Sequence, residues 1–168
     1  MAQQLHIKPF LQAEVDLVRT MVIRKPLHGY VNLTDFVLQH GRQFTPTKRL
    51  PKGIRCGKLK TCYTTAGRIA IDRDDLIYCE GFACGVIPVM HAWLVDKEGN
   101  VIDPTWRQTV DGVDYRGVEY FGVPISHEYF TEHLCKYEKY ALIDAWEHGW
   151  PMLKDSPEKF LHPQFKTA

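Results

Sequence analysis

Three residues of this chain, Cys62, His91 and Asp103, have the side chains and local settings that thiol chemistry requires. Cys62 begins a stretch typical of a helix, with Thr61 as a candidate N-cap, whereas His91 and Asp103 lie on two short apolar runs joined by a turn. A thiol in the first helical turn meets unpaired amide N–H groups, and a neighbouring imidazolium lowers its pKa further. The residue types therefore predict a nucleophile, a base and a carboxylate that orients the base.

The turn between the two apolar runs decides whether the base and the carboxylate can meet. A three-residue loop between Asp96 and Asn100, with Gly99 in a left-handed conformation, makes His91 and Asp103 diagonal neighbours on one face of a hairpin. A loop shorter by one residue would put the two side chains on opposite faces, because strand side chains alternate. The catalytic interpretation therefore requires the longer loop or a bulge.

Each of these residues also has an ordinary structural interpretation. Free cysteine is among the most buried residue types, and a single histidine on an apolar strand commonly serves the core. A zinc site built from Cys79, Cys84 and His91 lacks the second pair of ligands that a structural site needs. We therefore expect neither a metal nor a cofactor.

The segment 57–106 resembles the core of the transglutaminase-like superfamily of papain-type thiol enzymes. In that family a cysteine begins a helix, a strand with a Gly-aromatic step follows, and two further strands read His-Ala-Trp and Asp-Pro-Thr. The corresponding residues here lie at 60–63, 78–83, 91–93 and 102–106. The chain also resembles small uncharacterised proteins of bacteria and their phages, for which no substrate is known.

The resemblance implies a role for each matching residue. Cys62 is the expected nucleophile, His91 the base and acid, and Asp103 the orienting carboxylate. The family's oxyanion side chain, ahead of the cysteine, has no clear match. Gln43 is a candidate by type and order. Tyr63, next to Cys62, and Trp93, in the His-Ala-Trp run, are further candidates for substrate or oxyanion binding.

The expected activity is thiol-dependent acyl transfer on an amide bond. Peptide or isopeptide hydrolysis, deamidation and transamidation all pass through one thioester, and the acceptor that reaches it depends on the groove rather than on the three residues. The partner is then a protein or peptide substrate, or a small amide. The alternative is a catalytically silent binding or inhibitor protein on the same fold. Arylamine-type acetyl transfer is a third interpretation, less suited to a short chain with no further cofactor-binding domain.

Composition indicates one domain over residues 1–168, since a chain that is 45% hydrophobic and 24% charged can bury a substantial core. A net charge of +1 gives no electrostatic footprint for nucleic-acid binding. No apolar run approaches the roughly 18 residues of a membrane span.

Five cysteines without framework spacing indicate a reducing compartment. The expected location is therefore the cytoplasm of a bacterium, or of the host if the protein is phage-encoded.

The predicted fold class is α+β, with helices packed on an antiparallel sheet around a papain-like, transglutaminase-type core. Two helices are expected within residues 10–41, the second from Leu33 to about His40 with Asn32 as its cap. A longer helical segment is expected at 126–148, with Ser126 as its cap, and a loosely held tail is expected from about Ser156.

The loop that precedes Cys62 is rich in basic residues and could form one wall of a substrate groove. A solvated loop is the favoured interpretation of these charges over a clamp for an anionic substrate, because exposed charge is common. The residues concerned are Lys48, Arg49, Lys52, Arg55, Lys58 and Lys60.

Overall fold

The computed structural model describes residues 6–21, 25–47, 50–110 and 113–166, which form a mixed α+β fold. The helices are α1 (Ile7–Thr20), α2 (Leu33–His40), α3 (Cys62–Asp72), α4 (His127–Tyr137) and α5 (Pro157–Phe160). The strands are β1 (Arg42–Pro46), β2 (Ile77–Cys84), β3 (Pro88–Val95), β4 (Asn100–Ile102), β5 (Arg107–Val110), β6 (Val113–Arg116) and β7 (Glu119–Pro124). Short 3₁₀ turns lie at Trp146–His148, Pro151–Lys154 and Pro163–Phe165.

Five strands close into a barrel in the order β1-β4-β3-β2-β7, while β5 and β6 form a separate two-stranded ribbon. The sheet differs from the expected antiparallel one in two respects: it closes on itself, and β1 runs parallel to β4. Because β1 also pairs with β7, it joins the two ends of what would otherwise be an open antiparallel sheet. Each barrel strand therefore has a neighbour on both sides, although β4 covers only part of the edge of β3.

The apolar side chains form two clusters, one inside the barrel and one between its outer face and the helices. Trp93, Phe44 and Tyr120 fill the interior, where Trp93 makes edge-on ring contacts with both. Glycine at position 122 makes room for this packing, since a Cβ there would lie 2.6 Å from Cη2 of Trp93. The outer cluster fixes α3 against β3 through residues such as Ala66.

The two N-terminal helices are present. The structure confirms the second, in which the Asn32 side chain accepts a hydrogen bond from the amide of Asp35. The first begins at Ile7, earlier than the sequence pattern indicated, and Ile7, Leu11 and Val15 form its buried stripe. Among the described residues, no helix combines the length and the apolar character needed to cross a membrane.

The predicted helical segment 126–148 is α-helical only over His127–Tyr137, with a short 3₁₀ turn at its end. Ser126 caps α4 as expected, but the helix ends where Glu138 adopts a left-handed conformation with φ of 55°. Beyond it, the amides of Leu142 and Ile143 donate to the buried carboxylate of Glu80 instead of to helical carbonyls. An internal acceptor on β2 therefore replaces the helical hydrogen bonds of this segment.

The expectation of a loosely held C-terminal tail is wrong for the described residues up to 166. Phe160 is fully buried, and Leu161 forms a β-bridge with Ile125. Further along, the carbonyl of Phe165 accepts a hydrogen bond from Arg42, and its ring packs against Phe44. The C-terminal segment thus covers the end of the barrel at which β1 begins.

Candidate active site

Cys62 is the first residue of α3 and is partly buried. The residue before it, Thr61, occupies the N-cap position as predicted, but its hydroxyl does not cap the helix. That hydroxyl donates to the carbonyl of Lys58 at 2.7 Å and lies 2.8 Å from the hydroxyl of Thr65. The first amides of α3 therefore remain available near the thiol, since the opening amides of a helix have no intrahelical acceptor.

The register of the β3–β4 hairpin is the one that the catalytic interpretation required. Val95 pairs with Val101, which fixes a three-residue loop between Asp96 and Asn100. Gly99 has a φ of +81°, the left-handed conformation that was predicted for it. The expected juxtaposition of His91 and Asp103 follows from this register and is present.

The second apolar run is a strand only as far as Ile102, because Asp103 starts a turn. Oδ1 of Asp103 accepts hydrogen bonds from the amide of Thr105 at 2.9 Å, its hydroxyl at 3.0 Å and the amide of Trp106 at 3.1 Å. Oδ2 accepts from the hydroxyl of Tyr120 at 2.9 Å and lies 2.8 Å from Nε2 of His91. The carboxylate is fully buried, and these five hydrogen-bonding contacts fix its orientation.

His91 lies between this carboxylate and the thiol. Its Nε2 faces Asp103, and its ring also hydrogen-bonds the side chain of Cys62, for which Nδ1 is the remaining nitrogen. The ring of Trp106 stacks on the imidazole with centroids 4.8 Å apart. Only 4% of His91 is exposed, so the imidazole is largely shielded from water.

The three groups shift one another's proton affinities towards the charged forms. Burial raises the pKa of Cys62, but the hydrogen bond and positive charge of His91 outweigh it, so the thiol pKa lies below its usual value. Burial lowers the pKa of His91, yet its bonds to Asp103 and Cys62 raise it to about 9. Burial likewise opposes the charge of Asp103, whose pKa is held below its usual range by His91 and the other donors. This arrangement favours a thiolate–imidazolium pair at neutral pH.

Backbone amides add to this effect at the sulfur. The amides of Ala92 and Tyr63 donate to Cys62, which lowers the thiol pKa. Ala92 follows His91 on β3, and the paired strand β4 stops at Ile102 before it reaches the level of Ala92. The early end of β4 thus leaves the edge of β3 open where the thiol approaches it.

The other predicted site residues differ in where they lie. Tyr63 belongs to the site through its backbone amide, and its side chain packs in the outer apolar cluster. Trp93 is fully buried inside the barrel, under His91, and has no exposed surface with which to contact a substrate. Gln43 lies on β1, which is not adjacent to β3 in the barrel. It pairs with Phe121 of β7, and its side-chain amide donates to Glu119 at 3.5 Å. The structure therefore brings neither Trp93 nor Gln43 to the thiol.

Two residues of the site were not identified from the sequence, namely Tyr120 and Trp106. A buried tyrosine hydroxyl usually finds a hydrogen-bond partner, but nothing in the local sequence connects Tyr120 on β7 with Asp103. Trp106 was visible at the end of the Asp-Pro-Thr run, where its position beside the predicted carboxylate was a usable signal. Among the described residues, no group of three or more histidine, cysteine or acidic side chains could hold a metal ion.

No protein-family model, curated protein or solved structure matches this chain. The functional argument therefore depends on the geometry and chemistry of the residues themselves.

The site predicts selective reactivity of one thiol. We expect iodoacetamide at pH 6 to alkylate Cys62 faster than the exposed Cys56 and Cys135, since only Cys62 has an imidazolium beside it. Residue-resolved mass spectrometry measures the five rates in one sample. In His91→Ala the advantage of Cys62 should disappear. Equal labelling of Cys62 and Cys56 in the unmodified chain would contradict the ion pair.

Proposed function

We propose that this protein is a thiol-dependent acyl-transfer enzyme that acts on amide bonds of a peptide or protein. The observation that carries the proposal is the position of His91, whose imidazole interacts with the thiol of Cys62 and lies 2.8 Å from the buried carboxylate of Asp103. A structural cysteine needs no base, and a structural histidine needs no buried carboxylate held by four other hydrogen bonds. The combination is the arrangement of nucleophile, base and orienting group.

The first half of the reaction forms a thioester. The Cys62 thiolate attacks the amide carbonyl carbon, and the resulting oxyanion lies near the backbone amide of Cys62 at the start of α3. His91 then transfers its proton to the leaving nitrogen, and the carbon–nitrogen bond breaks. Asp103 stabilises the imidazolium and keeps Nδ1 directed at the sulfur and the leaving group.

The second half releases the acyl group. Neutral His91 removes a proton from water or from an amine, and the activated acceptor attacks the thioester carbonyl. The carbon–sulfur bond breaks and the thiolate leaves, which restores the ion pair with the imidazolium. Water gives hydrolysis or deamidation, and an amine gives transamidation.

A papain-like, transglutaminase-type core is part of this proposal. Its support is the order of the elements. A helix that begins with the cysteine packs on the barrel, and three antiparallel strands follow it, of which β3 carries the histidine and β4 leads to the aspartate. We also propose that the protein acts in the cytoplasm, where its five cysteines remain reduced.

The proposal predicts a covalent acyl-enzyme on Cys62. Incubation with a peptide library or a cell extract, followed by acid quench and intact-mass analysis, should give an adduct whose mass identifies the acyl donor. His91→Ala should prevent its formation, while Cys56→Ala should leave it unchanged as a matched control. A small primary amine should speed turnover if the acceptor is an amine, and leave it unchanged if the acceptor is water.

The absence of any adduct would reject the enzymatic proposal if both the unmodified chain and Cys62→Ala retained the same partner protein in a stable one-to-one complex. That result would favour the silent binding protein instead.

A further inference from the structure

A cleft of about 470 Å³ runs along one side of α3, between that helix and the loop before Cys62. Ile54 and Ile69 line it, together with Arg55 on the loop and Arg68 and Arg73 on the helix side. The lining of the cleft therefore combines apolar and cationic residues.

The cleft begins one helical turn from the thiol. Thr65 lies one turn after Cys62 on α3 and lines the cleft, and Arg68 follows Thr65 at the next turn. At 1.5 Å and 100° per residue, Arg68 is about 9 Å along the helix axis from Cys62 and about 120° around it. An extended peptide covers this distance in about three residues. A peptide attached through its carbonyl to Cys62 would thus bring its third neighbouring residue to Arg68.

The loop that forms the other wall is anchored to the site. The amide of Gly57 donates to the carbonyl of Pro104 at 2.8 Å, directly after Asp103. On its other side Gly57 packs against Thr65, where an added Cβ would lie 2.8 Å from the threonine methyl group. Arg55, two residues earlier, is therefore held across the cleft from α3.

Among the described residues, only one of the three arginines is in an ion pair. Arg73 donates from Nε and Nη2 to the two oxygens of Asp75, both at 2.6 Å. Arg55 and Arg68 are exposed and form no ion pair with any carboxylate in the part of the chain that the structure describes. With Asp72 also on the cleft, three arginines are set against two aspartates, which leaves one uncompensated positive charge. That charge suits a single carboxylate on the ligand.

We propose that this cleft selects peptide substrates with a carboxylate about three residues from the carbonyl that Cys62 attacks. Arg55 and Arg68 bind the carboxylate, which an acidic side chain or a C-terminus can provide. The inference depends on the proposed thiol chemistry for its position relative to the reaction. It assigns Arg55 a binding role instead of the solvated one that the sequence alone favoured.

The test uses blocked seven-residue peptides of alanine and serine with a central dehydroalanine, which a thiolate attacks as a Michael acceptor. One peptide carries glutamate three residues before the electrophile, one carries it three residues after, and glutamine replaces glutamate in the matched pair. A further neutral peptide ends in a free carboxylate three residues after the electrophile. The second-order rate of Cys62 modification is measured by intact mass.

One glutamate peptide should react roughly tenfold faster than its glutamine partner, a ratio typical of a charge-assisted contact at a solvated site. The ratio should fall towards one in Arg55→Gln and Arg68→Gln and persist in the control Lys52→Gln, an exposed cation of the same loop. Iodoacetamide labelling of Cys62 should be equal in all variants. A comparable gain for the free C-terminus would identify a terminal carboxylate as a second source of the charge.

Equal rates for glutamate and glutamine peptides, with normal iodoacetamide labelling, would overturn the cleft and leave the thiol chemistry intact. If Cys62 reacts with no probe, binding of the same peptides without the electrophile to Cys62→Ala, measured by calorimetry, decides the question. A glutamate preference that Arg68→Gln removes would support the cleft even then. Binding without that preference would overturn it.

Discussion

Replacement of Asp103 by asparagine should slow the acylation of Cys62 by roughly 10³- to 10⁴-fold without unfolding the chain. The reason is the set of donors around the carboxylate. Oδ1 accepts three hydrogen bonds from the hydroxyl and amide of Thr105 and the amide of Trp106, so the asparagine oxygen must take that position. The new NH₂ group then faces Nε2 of His91 and donates to it.

A histidine that accepts at Nε2 must carry its proton on Nδ1, the nitrogen directed at Cys62. It can no longer take the thiol proton, and the ion pair is lost. The rate of acyl-enzyme formation by quenched intact mass, together with iodoacetamide labelling at pH 6, measures this loss. Asp74→Asn, an exposed aspartate near the end of α3, is the matched control and should react as the unmodified chain does. A loss below tenfold in Asp103→Asn would show that this carboxylate does not set the tautomer.

Glu80→Ala should have the largest effect on stability, about 4 kcal/mol at pH 5. The carboxylate is fully buried on the outer face of β2. It accepts from the amides of Leu142 and Ile143 at 2.7 and 2.8 Å and from the hydroxyl of Tyr78 at 2.9 Å. Truncation leaves two buried amides without an acceptor and opens a cavity beside α3. The midpoint of urea unfolding measures the loss.

The loss should shrink as the pH rises. Burial raises the pKa of Glu80 from 4.5 to about 7 in the folded chain. The folded state therefore binds this proton more tightly than the unfolded state, so the contribution is complete below pH 4.5 and disappears as the pH passes 7. The difference between the unmodified chain and Glu80→Ala should fall by about 3 kcal/mol between pH 4.5 and 8.

Glu80→Gln is the control for titration, because glutamine keeps the shape of the side chain and does not ionise. Its oxygen can accept from only one of the two backbone amides, and its NH₂ group faces the other, so this variant should lose about 1–3 kcal/mol at pH 5 and lack the pH-dependent contribution. A difference between the unmodified chain and Glu80→Gln that stays constant from pH 5 to 8 would mean that Glu80 does not titrate in this range.

The arrangement of base and carboxylate could be predicted because short local signals encode it. Asp96 accepts hydrogen bonds from the amides of Glu98 and Asn100, and Gly99 takes the left-handed position, so a few consecutive residues fix the hairpin register. That register determines which side chains share a face with His91. The start of α3 at Cys62 was likewise visible from its neighbours.

The remaining contacts join distant segments, and no local pattern encodes them. Tyr120 reaches Asp103 only because β7 closes the barrel. The same closure buries Trp93 in the barrel interior, where it cannot contact a substrate. Ala141 and Ala145 continue the helical spacing of apolar residues after Tyr137, yet the buried Glu80 on β2 provides a stronger set of acceptors for that backbone. Tertiary hydrogen bonding therefore overrides local helix preference there.

The position of β1 in the barrel also bears on how the protein reaches its native state. Its pairings join Thr45 to Asn100 and Arg42 to Gly122, so the barrel closes only when residues more than fifty positions apart meet. Non-local pairing of this kind slows folding, because chain entropy is lost before the contacts form. Asp103 follows β4, and its hydrogen-bond donor Tyr120 lies on β7, so both belong to strands that β1 joins. A nascent or partly folded chain would therefore carry an ordinary, weakly reactive thiol, and the nucleophile would arise only at the end of folding.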